Sequence, residues 1–309
     1  MTTVLDSGLR AAIERVFGAA CDVLDARPHA LQSSCALTEI RLRDSGGEER
    51  QVVLKDLSAR SRHPGPESLY DPRREIEAYR RLCSAPGLGL ARLLGAEVDP
   101  DHDRYWLLIE HVEGVPLWQS GDPADWREVA HWLAGLHELD PPPAGPPWLR
   151  YDTGHYERWL PRALALAPDA GLAAIERAHA VAIERLAAED SVTVHGDFYP
   201  SNVIVRAPRG SGVCPLDLEL LGAGPAVLDL AALIAGLPAS LAAAVVDAYA
   251  RRRGRSLRRE RLEQLLLCAR LHLAVRWLGW MPGWRAPAHQ RFDWIAEAHA
   301  AAAALEGLR

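Results

Sequence analysis

The spacing of apolar residues changes character once along this chain, and that change limits what it can fold into. Up to about residue 112 the apolar residues come mostly in short, β-rich runs; beyond it they recur at helical spacing over long stretches. Ala36-Leu37-Thr38-Glu39-Ile40-Arg41-Leu42 alternates in part. Asp44-Ser45-Gly46-Gly47 supplies a hairpin turn, and Gln51-Val52-Val53-Leu54-Lys55 is a second β-rich run. Trp106-Leu107-Leu108-Ile109 reads as a buried strand within an extended region over 91–112, ended by Gly114 and Pro116. Two helices are predicted in this first part. One covers 8–25, from Leu9, Ala12, Ile13, Val16, Phe17 and Ala20. The other follows Asp71 as N-cap and Pro72 at the first helical position, with Ile76, Tyr79 and Leu82 on one face. The second part is predicted helical over 125–139, 155–166, 170–188, 229–250, 260–279 and 290–306, interrupted by a strand–loop–strand over 192–219. Strands first and helices second predict an α+β fold of two lobes, 1–112 and 113–309.

Composition removes several classes of function. A chain of 309 residues buries enough surface to need no metal or disulfide for its core. The five cysteines, at 21, 35, 83, 214 and 268, are odd in number and form no C-x-x-C, so neither a disulfide framework nor a zinc site is predicted. A net charge of −6 argues against a dedicated nucleic-acid binder, which needs a basic surface. The longest apolar run, Leu230 to Val246, is broken by Pro238 and Ser240 and reads as buried helix, with no membrane partner expected. The opening MTTVLDSGLR has no charged segment followed by an apolar one, so no signal peptide and a cytoplasmic location are expected. The arginine-rich stretch Arg251 to Arg261 reads as a solvated helix start or as an anion contact.

Two residue types occur once each. Of the 35 Lys and Arg residues a single one, Lys55, is lysine, and Asn202 is the single asparagine. Richness in Ala, Arg, Gly and Pro points to a GC-rich genome, which replaces Lys by Arg and Asn by Asp or Ser where chemistry permits. Lys55 and Asn202 are then positions where the substitutes fail. Asn202 lies in Val194-His195-Gly196-Asp197-Phe198-Tyr199-Pro200-Ser201-Asn202-Val203-Ile204-Val205, a polar loop between apolar strands, and Asp217 follows after a Gly-rich turn. Two carboxylates and an amide on short loops can converge on a hydroxyl and a divalent cation. Oxygen ligands of this kind suit Mg2+, and an amide oxygen ligates without adding charge.

The segments HGDFYPSNVIV and PLDLELLGAGPAVLDLAAL resemble the aminoglycoside phosphotransferase and choline kinase-like family, small-molecule kinases with the protein-kinase fold. The family pattern is H-G-D-x-x-x-x-N, a hydrophobic-Asp-x-Glu segment and D-L-A; here these are His195, Gly196, Asp197, Asn202, Asp217, Glu219 and Asp229-Leu230-Ala231. The resemblance covers roughly 28–300. It implies transfer of the γ-phosphoryl group of ATP, with Mg2+, to a hydroxyl of a small molecule. Asp197 would orient and deprotonate the hydroxyl, and Asn202 and Asp217 would hold Mg2+. Lys55 would hold the α- and β-phosphates, set by Glu75, whose spacing to Leu82 matches the family better than that of Glu77. Leu107 to Gly114 looks like the hinge between lobes, where backbone groups of Glu110 and Val112 would meet adenine.

The chain departs from the pattern in two places. The turn expected to cover the nucleotide, 31–36, has no glycine, and the loop between Lys55 and Glu75 is longer than a compact connection needs. The first leaves open a nucleotide-binding module without catalysis. A protein kinase is disfavoured: only about a dozen residues separate Asp217 from Asp229, and D-F-G and A-P-E are absent. Among the remaining residues, His195 is expected to brace the loop and Asp229 to anchor it and cap the following helix. Glu219 reads equally as a site contact or a structural ion pair, and His131 and His137 read as ordinary histidines. Trp277, Trp280 and Trp284 are either packed core or a pocket wall able to stack on a sugar or enclose a cationic nitrogen, with Asp293 nearby. The acceptor is expected to be an amino sugar or amino alcohol; a neutral sugar, macrolide or biosynthetic intermediate is the alternative.

Overall fold

The computed structural model describes residues 7–18, 21–29, 35–44, 46–59, 69–83, 85, 87–254, 258–280 and 292–307. The first part is an antiparallel sheet of five strands, β1 (Asp22–Pro28), β2 (Ala36–Arg43), β3 (Glu49–Asp56), β4 (Leu93–Asp99) and β5 (Arg104–Glu110), in the order β1-β2-β3-β5-β4. Helix α1 (Ser7–Phe17) covers one face and α2 (Arg73–Leu82) the other. Alternation along β5 explains its unbroken apolar run. Trp106 and Leu108 pack with Leu9, Ile13, Ile40 and Val52, while Leu107 and Ile109 pack with Ile76, Tyr79 and Leu82 on the opposite side. The Asp71 carboxylate accepts from the Arg73 amide at 2.9 Å and so supports the start of α2.

The helix expected over 8–25 stops at Phe17, and the remainder of that span is strand. Gly18 adopts φ +90°, a conformation that ends helices, and its amide closes the last turn onto the Glu14 carbonyl at 2.8 Å. Asp22 to Pro28 then pair with β2 from Arg43 to Thr38.

The second part is mostly helical. Its helices are α3 (Pro123–Leu136), α4 (Thr153–Glu157), α5 (Trp159–Leu166), α6 (Glu176–Ala187), α7 (Val227–Ile234), α8 (Ala239–Arg253), α9 (Arg259–Leu278) and α10 (Trp294–Glu306). Its strands are β6 (Gly114–Pro116), β7 (Leu149–Arg150), β8 (Val192–Val194), β9 (Val203–Arg206), β10 (Val213–Pro215) and β11 (Gly222–Gly224), in two sheets ordered β10-β9-β6 and β7-β11-β8. The chain thus has the protein-kinase-like architecture, a β-rich lobe followed by a helical one. Pro238 divides the single helix expected over 229–250 into α7 and α8, since it supplies no amide to continue the ladder. Strands β6, β7 and β11, two or three residues each, are too short to show a period in sequence.

Helix α9 is the axis of this lobe, packed against α5, α6, α7 and α10. Around His272 of α9, His155 and His179 complete a buried cluster, with ring centroids 6.4 Å (His155–His272) and 5.9 Å (His179–His272) apart. Nε2 of His155 and His179 and Nδ1 of His272 meet no hydrogen-bonding group among the described residues. Burial pushes His155 down to about 3, His179 to about 4 and His272 well below its ordinary value, where the other two histidines and Arg276 add to the effect. All three are therefore neutral in the fold. A base depressed in the folded state stabilises above its unfolded value, near 6.5, and the stabilisation is lost as pH falls below it. Between pH 6.5 and 5 each histidine should cost about 1.4 kcal/mol per pH unit. Urea unfolding across that window should show stability falling with acid, and His179→Leu should flatten the slope by one proton. An unchanged slope in the variant would show that His179 titrates normally in the fold.

Candidate active site

Strand β3 delivers Lys55 into the interior, where its side chain is 5% exposed. The ammonium lies 2.7 Å from Glu75 Oε2 on α2 and also pairs with Asp217. The other Glu75 oxygen accepts from the Leu218 amide at 3.2 Å, so one carboxylate ties the lysine to the turn that carries Asp217. Glu77 points elsewhere and pairs with Arg80 on the surface at 2.6 Å. Arg74, next to Glu75, strengthens the same junction: its Nη1 donates to the carbonyls of Leu69 and Glu219, both at 2.7 Å. Burial alone lowers the Lys55 value, but Asp217 and Glu75 outweigh it and hold it well above the ordinary range. Burial pushes Glu75 up, against the pull of Lys55. Asp217 has φ +65°, a left-handed conformation that aspartate tolerates better than most residues, and it opens the turn Leu218–Leu220.

The loop from His195 to Asn202 hangs on Asp229 of α7. The buried Asp229 carboxylate accepts from the amides of His195 at 2.7 Å and Gly196 at 2.8 Å, and from His137 Nε2 at 3.1 Å. His137 Nδ1 lies 2.8 Å from the Tyr249 hydroxyl. Burial alone raises the Asp229 value, yet the bond and charge of His137, with His195, hold it below the usual carboxylate range. Asp229 thus anchors the loop, but it does not cap α7, where no side chain caps the first turn. His137 belongs to that anchor, unlike the exposed His131. His195 Nε2 donates to the Leu216 carbonyl at 2.9 Å and its Nδ1 accepts from the Asp197 amide at 3.3 Å, so the ring braces the loop against the segment leading to Asp217. Gly196 has φ +82°, and a Cβ there would collide with the Tyr151 hydroxyl and the Leu220 carbonyl; glycine alone fits.

Asn202 Nδ2 donates to the Asp197 carbonyl at 2.9 Å and to its Oδ2 at 3.1 Å. The Leu216 amide bonds the Asn202 carbonyl at 2.8 Å, which sets Asn202 beside the chain entering Asp217. A residue that sequence reasoning missed completes the group. Arg276 of α9 reaches Asp197 Oδ1 with Nη2 and the Gly196 carbonyl with Nη1, both at 2.8 Å. Its guanidinium lies over the Trp280 ring, 5.2 Å from the centroid. The available signal was a charge in the apolar run Leu271 to Leu278, one turn after His272. Burial pushes Asp197 above the usual carboxylate range, with Arg276 opposing and Asp217 adding to the rise.

Val52 of β3 pairs with Glu110 and Lys55 with Leu107, so the segment expected to form the hinge starts three residues, about 10 Å, along the strand from Lys55. The Glu110 amide donates to the Arg92 carbonyl and the His111 amide to the Gln51 carbonyl, at 3.0 and 3.2 Å, while the Val112 amide has no backbone acceptor among the described residues. Of the turn expected to cover the nucleotide, residues 31–34 lie outside the described residues, as do 60–68 of the long loop and Trp284. Asp293 caps α10, accepting from the Ala296 amide at 2.9 Å. Trp277 stacks on Trp294 at 5.7 Å and meets Tyr199 at 5.5 Å, whereas Trp280 stacks on Trp159 at 5.5 Å.

A family model described as the phosphotransferase enzyme family matches residues 39–265. The chain belongs to that family. Among solved structures, choline kinase LicA from Streptococcus pneumoniae is 15% identical, with 97% of this chain and 100% of that one covered and a TM-score of 0.64. Aminoglycoside phosphotransferase APH(3'')-Id from Streptomyces rimosus is 22% identical, with 90% of this chain and 100% of that one covered and a TM-score of 0.56. A structure of the latter contains ADP and streptomycin. No curated protein is similar enough to match this chain. The chain is accordingly a phosphotransferase of this family.

The anchor of the loop is open to a direct test in this phosphotransferase. Asp229→Asn keeps the shape but turns an amide NH2 toward backbone N–H donors, leaving a buried donor unpaired at a cost of about 2–3 kcal/mol. Thermal unfolding should show a clear drop in Tm, together with lost activity. A variant as stable and active as the parent would show that the loop holds without Asp229.

Proposed function

We propose that this chain transfers the γ-phosphoryl group of ATP, in a Mg2+-dependent reaction, to a hydroxyl of a small amino sugar or amino alcohol. The observation that carries it is the convergence of the single lysine and single asparagine of the sequence on the two aspartates Asp217 and Asp197. Nucleotide would lie between segments 1–112 and 113–309, with adenine at the backbone of Glu110 and Val112. Lys55, oriented by Glu75, would hold the α- and β-phosphates. Asp197 would orient the acceptor hydroxyl and take its proton, its carboxylate held so that the attacking oxygen meets one face of the γ-phosphoryl group.

The donor set fits Mg2+. Among the described residues no group of three or more His, Cys, Asp or Glu could hold a metal ion. A protein that supplies one or two oxygens and leaves the others to phosphates and water is the usual arrangement for this ion. Asn202 spends its NH2 on Asp197, which turns its amide oxygen into the donor it has to offer, and Asp217 adds a carboxylate. The buried group of Lys55, Glu75 and Asp217 carries one positive and two negative charges, a surplus that favours a cation. When bound, Mg2+ would neutralise charge on the phosphates.

A neutral acceptor is the second reading, and one observation favours it. The face of Trp280 is covered by the chain's own cation, Arg276, so this indole has less to offer a substrate nitrogen. The half-buried rings of Tyr199, Trp277 and Trp294 then form the aromatic wall beside the loop.

ATP turnover against a panel of amino sugars, amino alcohols, neutral sugars and macrolides tests the reading. Asp197→Asn should bind ATP normally and lower kcat by at least ~10²-fold; parental kcat would remove Asp197 from the reaction. Lys55→Ala should weaken ATP use, and Lys55→Arg should not restore it, because a planar fork cannot replace a compact ammonium between two carboxylates. Trp277→Ala should raise the acceptor KM by about tenfold and spare ATP affinity if the substrate nitrogen meets the indole, a contact of roughly 0.5–2 kcal/mol. A lowered Tm with unchanged KM would make Trp277 part of the core and favour the neutral acceptor.

A further inference from the structure

We infer that Arg276 is a positioning residue for Asp197, fixing by contacts to the loop backbone and to the carboxylate the direction in which Asp197 faces the acceptor. The inference rests on the phosphotransferase reading above and adds to it a residue from the far end of the chain.

Geometry supports it in three ways. The guanidinium brackets one residue: Nη1 bonds the carbonyl of Gly196, just before Asp197, and Nη2 bonds Asp197 Oδ1. A planar fork with both arms engaged fixes side-chain direction relative to backbone, which a single ammonium cannot do. Asp197 Oδ2 is meanwhile held by Asn202 Nδ2, so among the described residues Oδ1 and Oδ2 each have one partner and the carboxylate keeps lone pairs for a hydroxyl. Finally, the guanidinium cannot swing away. Its side chain is 5% exposed, it lies over Trp280, and Trp280 is itself stacked on Trp159 with ring planes 16° apart.

The surroundings leave this charge undivided. His272, one turn earlier on α9, is buried and neutral, and Tyr151 and Tyr199 nearby are phenols pushed above their ordinary range by burial. Asp197 is thus the one carboxylate that pairs with Arg276 among the described residues. Helix α9 in turn is held by α5, α6, α7 and α10, so the clamp carries the rigidity of the helical lobe to the loop.

The test is a double-mutant cycle with two readouts. Arg276→Met keeps the length of the side chain without its charge. It should lower kcat about 10²-fold, the cost of a misplaced catalytic group, with the KM for ATP changed less than about twofold. Arg276→Lys should recover part of that loss, since one ammonium reaches one of the two partners. In the Asp197→Asn background Arg276→Met should lower kcat no further, because the group it positions is already gone. The second readout, the urea midpoint, needs no activity: Arg276→Met should destabilise the parent more than it destabilises Asp197→Asn, as only the parent retains a buried carboxylate without its partner. Equal effects of Arg276→Met in both backgrounds, on kcat and on the midpoint, overturn the inference and leave Arg276 a packing residue. A parent that phosphorylates no acceptor overturns the phosphotransferase reading instead, and the urea cycle alone then decides whether the two side chains are coupled.

Discussion

Much of this structure depends on one buried cation held between two carboxylates. Lys55, Glu75 and Asp217 come from a strand, a helix and a turn that lie up to 162 residues apart. None of the three could be buried alone, because an isolated charge loses far more hydration than packing returns. Each therefore requires the other two, and the β-rich lobe is tied by its own charge balance to the segment after β10. The added bond from the Leu218 amide to Glu75 extends this to the backbone beside Asp217. Replacing such a triad by apolar side chains would cost little stability in principle. Its retention is explained by chemistry: a fixed ammonium beside a carboxylate that keeps surplus negative charge.

The loop bearing Asp197 is governed by a similar economy in backbone donors. Two successive amides, of His195 and Gly196, converge on Asp229, and the left-handed turn at Gly196 makes that convergence possible. His137, at the C-terminal end of α3, and Tyr249 of α8 continue the chain of bonds, so the anchor joins α7 to both. Held from below by Asp229 and from the side by His195, the loop has its shape before any substrate arrives, which phosphoryl transfer by positioning demands.

The sequence revealed residues whose signal is local or compositional. The α+β order follows from the change of period near 112. His195, Asp197, Asn202 and Asp217 follow from spacing, and Lys55 from its solitude in an arginine-rich chain. Glu75 follows from its interval to Leu82, and the structure sets it against Lys55. Arg276 was hidden for the reason that exposed Lys55: in a chain where nearly every basic residue is arginine, one more carries no signal. Its partner lies 79 residues earlier, and no periodicity reports such a pairing. His137 was missed likewise, since its partner Asp229 is 92 residues away. The end of α1 differs from the expected one because the helical spacing of Val16, Phe17 and Ala20 runs past Gly18, whose positive φ stops the helix at Phe17.

The tryptophans show where the lobe's packing and its chemistry compete for the same surface. Trp277 stands in the last turn of α9 and Trp280 just beyond its end, with ring centroids 6.3 Å apart, yet they meet different partners. Trp280, half-buried like Trp277, stacks on Trp159 and lies under the guanidinium of Arg276, contacts made within the chain itself. Trp277 turns toward Tyr199 and Trp294 beside the loop and stays half-buried. A cation bound near Asp197 would meet Arg276 as well as any indole, and like charges at close range in a poorly hydrated site repel strongly. The pairing of Arg276 with Asp197 offsets part of that repulsion, so an amino group on the proposed acceptor would be better placed on the side of the carboxylate away from the guanidinium.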